Sequence, residues 1–593
     1  MRTAISVLGA LAALVLVGAC FDPTRPCSTN SDCVNGGTCD PGTKTCVAVG
    51  NPNDKTPPVF SIVVKGAPVR QDTATLTEYD QGWPDGGVEA FRRDESVQVT
   101  VTSVDQDVDA GSVKLLVYGV SGNPGTALDV QLAPCASANP AAANPFCRVG
   151  TVQLAPLPFE AFRAVVPLEV SGADLSNNVG TADAGVNVTR WKWRYSAGAP
   201  IYTTPAIADD GTIVFGTSDG GSGSVYALSP DGSERWSLRD FGPAQASVAI
   251  GAGSGSNSLV YVATSPVSGS RINAVRLLDG SDAGVCLGAS GSGFSKPIVG
   301  GLAVVATTGD NGQLESAVAL AGGTRLVTFR PAAQGTSDAF CLEAGAPFQQ
   351  THSETVVTDG LALYLGSQDN VLRSFVFDST TAINWIKNPA WGVSGAVLVG
   401  DSELSALAID GPDLFFTVHP FGLVRAAAST GSWVPIGADG GVLSSFSGPA
   451  LRATTALFAA GPESAPVLLG LDRTNSEFSS SPTEGLVQGV PALGADQVAY
   501  TLTSLGILEA RKLDLTVLWS GQLSMSARFR GSPIVDCARQ GTGAGVLYAA
   551  SDSGEVTALI VDSRGLDSAA PWPKYQHDVR NTGNPTTPIQ SCP

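Results

Sequence analysis

Near the C-terminus, the stretch APWPKYQHDVRNTGNP places Lys574, Tyr575, His577, Asp578 and Arg580 within seven residues of a 593-residue chain that is only 15% charged and holds three histidines. An imidazole beside a carboxylate, with an amine, a phenol and a guanidinium close by, is the set from which acid–base or nucleophilic chemistry is built. Catalysis would also need a pocket and a partner nucleophile, and the sequence shows neither. The other histidines stand alone. His352 lies in QQTHSETVV ahead of a strand, and His419 lies in TVHPFG at a turn. Neither has the G-x-S-x-G or H-E-x-x-H surroundings of a hydrolase, so structural or solvated roles are expected.

Two other sets could hold a metal. Asp105, Asp107 and Asp109 in SVDQDVDAGS put carboxylates at alternate positions, a pattern able to gather oxygen ligands around calcium. The glycine and glutamate of an EF-hand loop do not follow at the sixth and twelfth positions. An acidic turn is the plainer reading, and no metal is assigned. Cys27, Cys33, Cys39 and Cys46 fall in CSTNSDCVNGGTCDPGTKTC. A zinc site is the alternative to disulfides there, but the C-x5-C-x5-C spacing lacks a C-x2-C knuckle and no histidine is near. Two disulfides are expected, and the Gly and Pro-Gly turns resemble small EGF-like modules.

The first twenty residues bear on compartment. MRTAISVLGALAALVLVGAC has a positive Arg2, a mostly apolar run from Ala4 to Val17 and small residues before Cys20, the layout of a secretory signal. Val17-Gly18-Ala19-Cys20 resembles the lipobox of bacterial lipoproteins. That resemblance implies removal of residues 1–19, acylation of Cys20 and stable anchoring by several acyl chains. Phe21 in place of an aspartate implies passage to the outer membrane of a Gram-negative envelope. Ten cysteines remain, an even number in an exported chain. Besides the first four they are Cys135, Cys147, Cys286, Cys341, Cys537 and Cys592. By position, Cys135 with Cys147, Cys286 with Cys341 and Cys537 with Cys592 are expected, though connectivity stays open.

The formal charge is −19, from 34 Lys and Arg against 53 Asp and Glu. Such a field repels phosphate backbones, which argues against nucleic acid as a partner. The 69 glycines and 38 prolines punctuate short Val, Leu and Ala runs, and this favours β-structure.

Residues 56–189 read as alternating strands, VFSIVV, SVQVTVTSV, SVKLLVYGV, FRAVVPLEV and VNVTRW, spaced as in an antiparallel sandwich. The TPPVF opening and the ADLSNNVGTADAGVNVT close resemble bacterial Ig-like modules. From residue 196 the chain repeats. TPAIADDGTIVFGTSDGGSGSVYALSPDGSERW holds an apolar strand, a Gly/Ser turn, a second strand, a Pro-Asp-Gly turn and a tryptophan opening a further strand. Later units end at Trp385, Trp433 and Trp519, and eight units start near Pro205, Val248, Pro297, Val356, Leu407, Pro449, Pro491 and Pro533. Four-stranded units at this period mark a β-propeller.

Gly223, Val225, Ala227, Asp231, Gly232 and Trp236 resemble the blade consensus of the PQQ-like propeller family, as do Gly422, Leu423, Ala426, Thr430, Gly431 and Trp433. The resemblance implies an all-β, eight-bladed ring over residues 190–593, behind a spacer at 20–55 and the sandwich at 56–189. The last unit is one strand short, so RWKWRYS at 190–196 is expected to supply its missing strand near 556–562. Quinoprotein dehydrogenases of this fold seat their quinone on a vicinal disulfide, and no two cysteines here are adjacent. A quinone pocket would also want several cationic groups, in which this chain is poor. No cofactor and no enzymatic activity are expected.

The functional expectation is a monomeric, lipid-anchored envelope protein that binds a protein partner. A role like that of the propeller lipoprotein of β-barrel assembly and a carbohydrate-binding face around Phe415, Phe416 and Phe421 are the alternatives, with an unrecognised hydrolase or oxidoreductase a third. The opening stretch resembles a W-P-x-x-x-x-D-x-x-N-T-G segment that flanks such propellers. As a latch, Trp572 would pack on the closing blade while Asp578 and Arg580 bond its turns. On that reading His577→Ala is silent.

Overall fold

The computed structural model describes residues 26–28, 32, 38–39, 42–47, 54–66, 90–105, 107–120, 127–136, 146–251, 258–288, 291, 293–294, 297–309, 312–321, 325–331, 340–344, 355–366, 369–378, 384–400, 404–419, 421–436, 447–538 and 543–592. Cys20, Cys33 and His352 lie outside them. The fold is all-β, and no described helix is long and apolar enough to cross a membrane.

The first layered unit packs two sheets face to face. One orders Phe60–Lys65, Ser96–Ser103, Phe146–Gln153 and Ala133–Pro134; the other orders Phe91–Arg92, Val179–Thr189, Arg163–Ala173, Lys114–Tyr118 and Ala127–Val130. Alternation along each strand decides which side chains go inward. Val97, Val99 and Val101 thus meet Leu115, Val117, Val166 and Val170, all at or near zero exposure. In the spacer, Thr38–Cys39 pairs with Cys46–Val47 and Cys27 is bonded to Cys39.

Eight antiparallel meanders follow among the described residues, forming the blades of a β-propeller. Their innermost strands are Ala206–Ile207, Ala249–Ile250, Ala303–Gly309, Val356–Thr358, Ala408–Asp410, Ala450–Leu451, Ala492–Leu493 and Ile534–Cys537. We number the blades 1 to 8 in that order. In blade 3 the innermost strand is AVVATTG: Ala303–Gly309 hydrogen-bonds with Gly312–Ala321, which pairs in turn with Arg325–Arg330.

Blade 8 is completed by the strand Trp191–Ser196, which runs antiparallel to Glu555–Val561 with Tyr195 opposite Val556. Innermost strands also link hydroxyl to amide across blade boundaries. Thr204 N donates to Ser247 Oγ at 3.1 Å, Leu407 N to Thr355 Oγ1 at 3.4 Å, and Val490 N to Ser532 Oγ at 2.8 Å.

Blades further couple through tryptophan. Trp193 Nε1 donates to Pro230 O, Trp236 Nε1 to Leu277 O and Trp391 Nε1 to Ala428 O, each at 2.8 Å in the following blade. Each indole lies flat against a turn glycine with positive φ, namely Gly232, Gly280 and Gly431, where an added Cβ would come within 2.7 to 2.9 Å of the ring. The Gly and Trp of the consensus therefore act across blades rather than within one. In blade 4 this work falls to Trp391, in the 3-10 turn Pro389–Trp391, and not to Trp385.

Where blade 8 would present its own turn to Trp519, the incoming sandwich chain supplies Arg190. Its guanidinium lies 4.4 Å from the Trp519 ring centroid and is fully buried. It donates to Ala161 O, Phe159 O and Ile560 O and pairs with Asp562 at 2.6 Å, so one side chain joins the sandwich to blades 7 and 8. Arg93 shares Asp562 at 3.3 Å, and burial beside a second guanidinium lowers its pKa to about 10.

Candidate functional site

The chain does not end with the last blade. After Glu555–Val561 it runs round the inner edge of the ring, and residues 572–574 and 576–584 are buried. Its carbonyls meet the innermost strands one after another. Leu451 N donates to Trp572 O at 2.7 Å, Leu493 N to Pro573 O at 2.8 Å, Ile207 N to Val579 O at 2.7 Å, Ile250 N to Arg580 O at 2.9 Å, Val304 N to Thr582 O at 2.8 Å and Thr358 N to Gly583 O at 2.9 Å. Blades 1, 2, 3, 4, 6 and 7 are tied to one segment. Asn581 Nδ2 reaches deeper, to Pro205 O at 2.7 Å and Val248 O at 3.1 Å.

Following this path demands unusual backbone. Gln576, His577 and Asn581 all have positive φ, which costs each of them about 1 kcal/mol and persists only where the surroundings over-determine it. The side chains satisfy one another. Lys574 Nζ donates to Tyr575 O at 2.5 Å, Asp578 O at 2.7 Å and Asn581 Oδ1 at 2.6 Å. Asp578 accepts from Arg580 N at 2.8 Å and from Thr582 Oγ1, and His577 Nδ1 stands 3.4 Å from Asp578 Oδ2.

Burial lowers the Lys574 pKa to about 7, partly opposed by Asp578. Burial pushes Asp578 upward, but its bonds to His577 and Thr582 and the nearby charges outweigh that and hold it below the usual carboxylate range. Of the groups that read as chemistry, Lys574, His577 and Asp578 are at most 3% exposed and Arg580 8%, while Tyr575 is half-buried. They shape a plug in the propeller hub.

The geometry corrects the latch expectation in detail. Trp572 packs not on the closing blade but in the core of blades 5 and 6, among Leu407, Phe415, Leu451 and Phe458. Asp578 braces the segment itself, and only Arg580 reaches a turn, at Asp209, 3.9 Å away. His577 is no bystander, since its ring sits 5.2 Å from that of Trp572. The backbone carbonyls that hold the blades could not have been named from residue types.

The acidic run is also redistributed. Asp105 accepts from Val59 N at 2.6 Å, and Asp109 accepts from Gly111 N at 3.0 Å within its own turn. Asp107 instead meets Asp54 and Asp174, their oxygens within 4.8 Å of one another. Burial and the like charges of Asp174, Asp54 and Asp105 raise its pKa. Asp174 is bonded by Asn178 and the Ser176 amide, which hold its own pKa down. Phe415 and Phe416 are buried in the core, whereas half-buried Phe421 packs on half-buried Trp433. His419 is half-buried at a blade turn.

Two clefts open where sandwich meets ring. One, of about 630 Å³, lies between Glu160–Arg163 and the outermost strand of blade 7, Val517–Gln522, with Phe162, Trp519 and Met525 in its wall. The other, of about 560 Å³, is lined by Arg92, Glu95, Lys192, Trp193 and Tyr548 beside Cys537. The disulfides are Cys27–Cys39, Cys135–Cys147, Cys286–Cys341 and Cys537–Cys592, and Cys46 is also disulfide-bonded.

No known protein family and no curated protein matches the chain. Solved propellers resemble its fold at low identity. BamB from Moraxella catarrhalis is 13% identical with a TM-score of 0.42, over 62% of this chain and 96% of that one. Quinohemoprotein alcohol dehydrogenase from Comamonas testosteroni is 11% identical with a TM-score of 0.43, over 63% and 77%. Sqt1 from Saccharomyces cerevisiae is 10% identical with a TM-score of 0.46, over 63% and 99%. Likenesses this distant carry no argument about activity.

Proposed function

We propose that the protein is a non-catalytic, lipid-anchored protein of a Gram-negative envelope, acylated at Cys20, whose propeller serves as a scaffold for a protein partner. One observation carries this reading. The inner edge of the ring, where a propeller can gather groups from many blades around a ligand, is lined by the chain's own residues 572–584, each innermost donor named above being satisfied from within. Binding then falls to the rims. There Met525, in the wall of the cleft between sandwich and blade 7, is 87% exposed, and Leu505, whose carbonyl accepts from Gln522 of that cleft, is 60% exposed. Burying such side chains is what a protein interface rewards.

The test places a photo-crosslinking residue at Met525 or Leu505 of the anchored protein in native membranes. A discrete protein adduct, abolished by Met525→Arg or Leu505→Arg in the same background, supports the scaffold. Absence of adducts together with saturable binding of a glycan, or turnover of a redox dye with added quinone, would overturn it.

A further inference from the structure

We propose that the Cys537–Cys592 disulfide is a redox-operated clasp on the hub: oxidised, it commits the C-terminal segment to the inner edge of the ring, and reduced, it lets that segment leave. The inference is independent of the scaffold reading.

The plug's backbone bonds go to blades 1, 2, 3, 4, 6 and 7, and its tie to blade 8 is covalent. Cys537 closes the innermost strand of that blade, Ile534–Cys537, and is 4% exposed. Cys592 is half-buried near the chain end, beyond Pro585–Gln590, which are themselves half-buried or exposed. The path is built to admit the bond. Gly565 has φ +145°, and a Cβ there would stand 2.3 Å from Cys592 Sγ.

The two cysteines lie 55 residues apart in sequence, with the whole plug between them. In the chain-entropy picture, closing such a loop favours the closed form by on the order of a thousandfold. The step balances as ordinary exchange with a dithiol. Its thiolate attacks the sulfur of Cys592, the less buried residue of the two, the S–S bond breaks and Cys537 leaves as a thiolate. The reductant's second thiol then releases Cys592, and the reductant departs as a disulfide, having given two electrons and two protons. The Cys286–Cys341 bond lies elsewhere, between the outermost strands of blades 2 and 3 at Asp282–Cys286 and Phe340–Ala344, so its reduction leaves the hub alone.

Amide exchange of residues 572–584, followed by mass spectrometry on the full-length protein, tests the clasp. The double variant Cys537→Ser/Cys592→Ser should exchange there at least tenfold faster than oxidised wild type, and Cys286→Ser/Cys341→Ser should not. Exchange within twofold of wild type in the first variant would overturn the proposal. Should that variant fail to fold, dithiothreitol titrated into oxidised wild type decides. Alkylation of Cys592 accompanied by faster exchange at the hub supports the clasp, whereas alkylation with unchanged exchange refutes it.

Discussion

Ser532 N donates a 3.0 Å hydrogen bond to Thr204 Oγ1 across 328 residues of sequence, and by it the eighth blade meets the first. Ser532 Oγ accepts in turn from Val490 N at 2.8 Å, and Thr204 N donates to Ser247 Oγ at 3.1 Å. Hydroxyls at the start of innermost strands thus hand the ring from blade to blade. Ser532 and Thr204 are both buried, so an amide that loses its acceptor has no water in its place. Thr204→Val should cost about 1–3 kcal/mol by denaturant unfolding, and Thr204→Ser should restore most of it.

Trp572 is 1% exposed in the core shared by blades 5 and 6. Trp572→Ala should cost about 3–5 kcal/mol through the cavity it leaves. Loss of Tm with accelerated amide exchange at Leu451 and Leu493, whose donors the plug satisfies, is the expected signature. A fall in Tm without change at those amides would place the damage outside the hub.

Arg190→Lys keeps the charge but loses the planar fork that meets Ala161, Phe159, Ile560 and Asp562 together. Asp562 is 40% exposed, so the loss comes chiefly from buried carbonyls left without a donor, and the substitution should cost about 1–3 kcal/mol. Calorimetry is expected to split one transition into two, with proteolysis appearing near residues 189–197, where the sandwich leaves the ring.

Lys574 gives a pH dependence of known sign. Its pKa in the folded protein is about 7, against an ordinary 10.5, so between those values the unfolded chain binds more protons and stability rises with pH. The burial penalty is present in full below about pH 7 and is relieved toward pH 10.5. Lys574→Met should flatten that slope across pH 7–10 in urea unfolding, while costing stability at every pH because Asn581 Oδ1 and Asp578 O lose their donor.

Gly232→Ala should destabilise by about 1–3 kcal/mol, from a side chain at φ +87° and from its Cβ meeting the Trp193 ring. Combining it with Trp193→Ala should cost less than the sum of the two, as a double-mutant cycle would measure.

Much of this architecture is legible in the chain. Alternation in Ser96–Ser103 specifies a half-buried strand, and the recurring apolar, turn and Trp pattern specifies meanders, because each is set by neighbours a few residues apart. The shortage of a strand in the last blade points to residues 190–196 for the same reason, since an open edge must be paired. Spacing could not tell Trp391 from Trp385. Both follow an apolar strand, and only packing against Gly431 separates them.

By itself, then, the sequence determined an all-β chain of repeating blades and the residue types of a dense cluster near its end. Tertiary structure alone decided what that cluster is for. Lys574, His577 and Asp578 carry the groups of a reactive site, yet their exposure, 0%, 3% and 2%, depends on six carbonyl bonds to strands of six blades that lie 80 to 372 residues upstream. Those bonds use backbone atoms, which every residue possesses and no sequence pattern distinguishes. The same limit hid the meeting of Asp107 with Asp54 and Asp174 and the seat of Arg190 on Trp519. Local periodicity sets the strands; the closure of the ring sets which atoms they enclose.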